Sequence, residues 1–543
     1  MSRSVFGGAL GRGAFRRKIV YLALIAVLLV PLARLSQPAT GASPGRPANP
    51  GGILAQKRNA FRLGQANLGK IDPASETIRL ASFGLGCVAA SILWNQAEEY
   101  KMKKDWTRLS AAYQQIAYLQ PNNVEVWRFQ AHNLSYNISY EIDDYRGRYY
   151  WVIRGIDFLE QGLEYNENEP RLLQAVGLFA AQKVGRADER RQYRRLFRAD
   201  DDFHRRQRVH ERDNFLFARE YYREAERVME NPQDLRVLQV SMSPPIFFSH
   251  SSMAQMSYAH ALEDDHTDAL AAAVDEAHRH ANIHDPARST AARQREIDEQ
   301  FTARILAGWS EGQRMWRALG ERQFLSLDGE PYHLADAPRL KTDLAAATTE
   351  LETVAPGVRE RLRDERRAAL PADERHALDM SPFDRDQRQR DLAARAENKL
   401  IVTAAMIGHA VTGPQAPKAR ELGDRIMHLQ ALVNTVDTDR EVVNYDYWAL
   451  RCALEQTADA REARRLVHHA AVEQGEADLL AARRDDAQAF DIWAKLLKQY
   501  PTLVEDPTGV LMQEAIHQYE NILKQLDEPF PTDFALDKLR EKK

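Results

Sequence analysis

From about residue 54 to the C-terminus, apolar residues recur three and four positions apart, and alternating apolar–polar runs are almost absent. That spacing lines up one stripe of side chains on an α-helix and scatters them on a strand, so it restricts the chain to an all-α fold. The clearest stretch holds Trp106, Leu109, Tyr113 and Ile116 on one stripe. Pro121 ends that helix, Asn122 and Asn123 supply a turn, and Val124, Trp127, Ala131 and Leu134 start a second stripe at once. Two stripes joined by a few residues must fold back on each other, because neither can bury its apolar face alone. A longer helix over about 75–103 is expected to precede them.

The run from Trp106 to Leu134 resembles the second helix of one tetratricopeptide repeat followed by the first helix of the next. Trp106, Tyr113, Pro121 and Asn123 stand where that family places a large residue, an aromatic, and Pro before Asn; Trp127 and Ala131 take its opening aromatic and small residue. Ile116 replaces the usual alanine. A second copy runs through Gly155, Leu159, Gly162 and Leu163, turns between Asn166 and Pro170, and continues through Leu173, Gly177 and Phe179, with an insertion at 143–151. A third pairs a helix around Met256, Tyr258 and Ala261 with one around Leu270, Val274 and Ala277; a fourth contains Ala489, Trp493, Leu496, Leu497 and Pro501. The resemblance implies a tetratricopeptide-like α-solenoid of stacked helical hairpins. The segments at 185–204, 244–259 and 442–457 are also similar to a group of planctomycete membrane proteins, some labelled "iron responsive element" proteins. That likeness implies a lineage and no mechanism.

The N-terminus sets the expected topology. Residues 19–35, IVYLALIAVLLVPLARL, nearly span a bilayer core at about 1.5 Å per helical residue, which predicts a transmembrane helix. Arg3, Arg12, Arg16, Arg17 and Lys18 precede it, so the N-terminus is expected in the cytoplasm and the body outside the cytoplasmic membrane. A cleaved signal peptide is the competing reading and exports the body equally. The expected organisation is a basic segment (1–18), an anchor (19–35), a Pro/Gly/Ser/Ala linker (36–53) and an N-terminal tetratricopeptide-like domain (54–240). A hairpin region (241–337) follows, then a charged helical linker (338–398) and a C-terminal tetratricopeptide-like domain (399–543). Within 324–334, Asp328-Gly329 between two short alternating segments predicts one small β-hairpin. The tail after 525 is expected to drape over the body or hang loose.

The 543 residues carry a formal charge of -4, which leaves no basic footprint for nucleic acid. The two cysteines, Cys87 and Cys452, lie in apolar helical surroundings and are expected as free thiols. Gly7, Gly8, Gly11 and Gly13 precede the anchor and follow no strand, so they are not a pyrophosphate loop. No phosphate-binding loop, nucleophile elbow, His-Glu-x-x-His or Cys-x-x-Cys occurs, so no cofactor and no enzymatic activity are expected.

Two clusters suggest chemistry nonetheless. Glu276, His280 and His284 are spaced four apart, one helical face on which a divalent metal would fit, against a plain solvated helix. Residues 186–213 carry Arg190, Arg191, Arg194 and Arg195, candidate partner contacts that could also take a phosphate or an anionic lipid headgroup; they are expected to fan outward while Tyr193, Leu196 and Phe197 face the core. Asp200 to Asp202 there read either as cation ligands or as a helix N-cap. Aromatics crowd 106–165; most suit the core, with Tyr145, Tyr149 and Tyr150 in the insertion as candidate partner contacts. The leading expectation is a membrane-anchored scaffold holding a protein or peptide partner. The alternatives are an enzyme or metal-binding protein with a scattered site, near Asp328 to His333 for instance, and a self-assembling structural protein.

Overall fold

A computed structural model describes residues 53, 56, 86–204, 212–230, 243–279, 286–505 and 507–540. They are almost wholly helical and fall into two compact units divided between Glu230 and Asn231. Among the described residues no helix is long and apolar enough to cross a membrane. The expected anchor at 19–35, the basic segment before it and residues 36–52 of the linker lie outside them, as do His280 and His284.

The first unit contains α1 (Gly86–Met102), α2 (Trp106–Leu119) and α3 (Val124–His132). The stripe read from the sequence is the buried face: Leu109, Tyr113 and Ile116 on α2, Trp127 and Ala131 on α3, then Leu134 just beyond. Asp105 caps α2 by accepting from the Arg108 amide, 3.1 Å. The corner at Pro121 is tied from both sides. Its carbonyl, just beyond the end of α2, accepts from Trp127 Nε1 and from Asn166 Nδ2, each at 2.8 Å.

Next come α4 (Tyr145–Tyr165) and α5 (Pro170–Phe179), and helices adjacent in sequence pack against each other from α1 to α5. Gly162 lets α4 approach α3, since a Cβ there would sit 2.9 Å from Trp127 Cγ. Most of the expected insertion at 143–151 forms the first turns of α4, capped by Asp144 on the Gly147 amide at 2.9 Å. The capping Asp marks the helix start. Both α3 and α5 widen at their C-terminal ends into π-turns, Asn133–Ile138 and Ala180–Val184. The π-turn at Ala180 leaves its carbonyl to Asn214 Nδ2, 3.0 Å away. The unit closes with α6 (Arg190–Ala199), the single turn α7 (Asp201–His204) and α8 (Asn214–Val228), which packs on α5.

The second unit is built on a hairpin of two long helices, α9 (Pro244–Arg279) and α10 (Pro286–Glu321). The third expected repeat is corrected here. Its two helices are one, because residues 262–269 contain charges but no Gly or Pro to break α9. The β-hairpin forms as expected: β1 (Gln323–Leu325) pairs antiparallel with β2 (Pro331–His333), and Gly329 turns at φ 84°. Phe324 faces Tyr332 in register and both are buried, with Phe248 of α9 against Phe324. Two strands of three residues persist only because helices cover one face.

After it come α11 (Ala337–Val354), α12 (Val358–Ala368), α13 (Ala372–Asp379), α14 (Gln387–Lys399), α15 (Ala404–Ala410) and α16 (Ala416–Val442). The expected charged linker is therefore only partly one. α12 buries no residue, whereas α11 packs along α16 and belongs to the body. The chain ends with α17 (Tyr445–Leu454), α18 (Ala458–Gly475), α19 (Leu479–Gln499), α20 (Pro507–Gln525) and α21 (Asp537–Arg540). Trp493, Leu496 and Leu497 of the fourth expected repeat are buried with Phe490 in one core, on which Phe530 and Phe534 of the tail pack. The tail is draped.

Candidate functional site

The most developed site in the second unit is a cavity of about 290 Å³ walled by α9, α10, α18 and the end of α17. Each wall is one helix face. On α18, Arg461, Arg464, Arg465 and His468 stand three, one and three apart; on α10, Thr302 and Ile305 fall on the stripe that continues to buried Trp309. These faces carry ionisable groups where a packed helix normally carries aliphatic ones.

The wall is organised by two nearly dry carboxylates. Glu455 accepts both arms of Arg464, Nε at 2.7 Å and Nη2, and lies 3.6 Å from Arg451 Nε. Glu263 accepts from Trp309 Nε1 at 3.0 Å, pairs with His260 at 3.1 Å and lies 3.5 Å from Arg464 Nη1. Burial pushes the Glu263 carboxyl up, but Arg464, His260 and Arg451 outweigh it and hold it well below the usual carboxylate range. One level along, Asp298 of α10 is shared by two imidazoles, His266 Nε2 at 2.8 Å and His469 Nε2 at 3.2 Å. There too burial acts upward, and the two histidine hydrogen bonds prevail and lower the carboxyl. Burial and the neighbouring His266 take His468 down to about 4, so its ring is neutral near pH 7.

A third carboxylate group lies on α18 and α19. Burial, with Asp485 and Glu473 beside it, pushes Asp486 up to about 8, so it holds a proton at neutral pH. Cys452 is a buried free thiol whose Sγ lies 3.2 Å from Met256 Sδ; burial pushes it up to about 12, which makes it inert. The side chain of Cys87 lies outside the described residues.

Of the candidates read from the sequence, the fold brings Tyr149 of α4 against Tyr193 of α6, ring centres 6.0 Å apart. Tyr150 is 55% exposed, at the edge of Trp151, and Tyr145 is half-buried at the start of α4. Tyr149 is buried, its hydroxyl donating to Asp200 Oδ2 at 3.0 Å, so it serves the core rather than a partner. Its place one turn into α4 puts it on the inward stripe with Val152 and Ile153. Arg190, Arg191 and Arg195 are exposed as expected. Arg194 is the correction: only 3% exposed, it lies 4.0 Å from Asp213 Oδ2 with its guanidinium 5.9 Å from the Phe215 ring centre. It follows Tyr193 and precedes Phe197 by three, so helical geometry turns it inward. Asp200 accepts from the Phe203 amide at 3.0 Å and Asp201 pairs with Arg212, so Asp200 acts as a cap and Asp201 as half of an ion pair. Glu276 is exposed on α9, and His280 and His284 of the expected metal set lie outside the described residues. His333, near the hairpin, pairs with Asp336 at 2.9 Å.

Sequence reasoning missed the cavity entirely. Its one legible signal is REARRLVHHA at 461–470, where cationic residues repeat at core spacing rather than on the opposite face. No protein-family model matches the chain, and no curated protein matches it.

Proposed function

We propose that the chain is a helical-repeat scaffold that holds a protein or peptide partner, tethered to the cytoplasmic membrane by its apolar N-terminal run. The observation that carries this reading is in the first unit. Helices pack in series from α1 to α5, each burying its stripe against the next, and large aromatics remain on the outside. Phe129 is 54% exposed and Trp94 37%, their ring centres 5.6 Å apart across α1 and α3; Tyr140 and Tyr150 are also exposed. A serial array presents such side chains on one extended surface, and exposed aromatics are the groups that anchor partners. The arginines of α6 add charge to the same unit.

The test is crosslinking from a photoreactive residue placed at Phe129, in the native cell, read by mass spectrometry. One reproducible partner is expected, lost when Trp94 and Phe129 are both changed to serine while the helical circular dichroism is kept. Crosslinks only to other copies of the chain would replace the scaffold with a self-assembling structural protein. An unchanged partner in the double variant would remove the aromatic surface from the argument.

A further inference from the structure

The cavity of the second unit contains an imbalance that its own ion pairs do not settle. Glu263 and Glu455 are taken by Arg464, and Glu462 by Arg465 through 2.7 Å and 2.9 Å hydrogen bonds. Arg461 is different. It lines the same cavity, its Nε donates to the Thr457 carbonyl at 3.2 Å, and its two terminal nitrogens have no carboxylate partner among the described residues. A guanidinium anchored through Nε presents its terminal donors in a fixed fork suited to a planar or tetrahedral oxyanion.

His468 supplies the second half. With the Thr267 Oγ1 proton on the Glu263 carbonyl, 3.1 Å away, the hydroxyl accepts from His468 Nδ1 at 2.9 Å. Nδ1 therefore carries the hydrogen of the neutral ring, and Nε2 is left as a lone-pair acceptor with no hydrogen-bond partner among the described residues. Thr302 in the lining can donate or accept, and Ile305 and Ala458 are apolar members of it. A charged donor fork and a neutral acceptor in one cavity match an oxyanion that also carries a hydroxyl.

We propose that this cavity binds a small hydroxyl-bearing oxyanion, its charged oxygens on Arg461 and its hydroxyl donating to His468 Nε2. Protonated phosphate and α-hydroxycarboxylates share this chemistry. Sulfate has the charge but no hydroxyl at neutral pH, which makes it the discriminating control.

The experiment is calorimetric titration of the full chain at pH 7 and constant ionic strength with inorganic phosphate, glycolate and sulfate in turn. Saturable binding of phosphate or glycolate is expected, with sulfate weaker, and the stronger of the two identifies the source of the anion. Arg461→Gln should weaken that binding about tenfold or more, the worth of one charged hydrogen bond. Ala458→Leu leaves every charge in place and crowds the cavity; it should weaken binding too, which separates loss of the site from a folding defect at Arg461. Absence of binding by both hydroxyl-bearing anions overturns the proposal. So does sulfate binding as tightly as phosphate, or binding that survives both substitutions.

Discussion

Glu263 and Asp486 are both carboxyls enclosed by helices of the second unit, and their neighbours drive them in opposite directions. Glu263 faces Arg464 and Arg451 and stays ionised; removing its charge leaves two guanidinium groups short of a counter-ion in a dry site. Glu263→Gln should therefore lose about 3 kcal/mol at pH 7 in urea unfolding. Because its folded pKa is depressed, that contribution is present above the unfolded value near 4 and fades as pH falls through the folded one. Asp486 behaves conversely. Its folded pKa, raised to about 8, means that the folded chain keeps a proton the unfolded chain releases, so this group costs stability progressively as pH rises from about 4 to about 8. Asp486→Asn should abolish that slope and leave the variant more stable than the parent at pH 8, by roughly 1–3 kcal/mol. Unfolding curves at pH 5 and pH 8 decide it; equal slopes for parent and variant would contradict the burial argument.

Contacts between elements explain which sequence signals were legible. The stripe Trp106–Leu134 and the stop at Pro121 were readable because burial and periodicity coincide there. Gly162 was readable as a small residue, and its purpose, room for the Trp127 ring, becomes visible only when α3 and α4 meet. Gly162→Ala would press a methyl group against that ring and should cost about 1–3 kcal/mol by thermal unfolding. The β-hairpin tests the same logic from the other side. Phe324 holds the two short strands to the helical body, so Phe324→Ala should lose about 3–5 kcal/mol and expose the β1–β2 amides to hydrogen exchange before the helices. Tyr149 and Arg194 were misjudged because residue type was weighed above helical position: a tyrosine with a carboxylate partner, or an arginine beside an aspartate and an aromatic face, can be core.

The molecule as a whole divides into two compact helical units, and the expected membrane tether at 19–35 precedes the aromatic surface of the first in sequence. Deleting residues 1–35 should move the protein from the membrane fraction to the soluble fraction on carbonate washing, with its helical circular dichroism intact. Retention in the membrane would point to attachment elsewhere. The all-α class, the lone hairpin, the helix stops and much of the buried stripe were determined by the sequence itself, because each rests on spacing within a few residues. The cavity was decided by tertiary structure alone. Glu263, Thr302, Glu455, Arg461 and His468 come from four helices spread over about two hundred positions, and no local spacing records which charged face will meet which. An arginine on a helix looks the same in sequence whether it meets water, a buried glutamate or an open cavity; only the packing of its neighbours tells them apart.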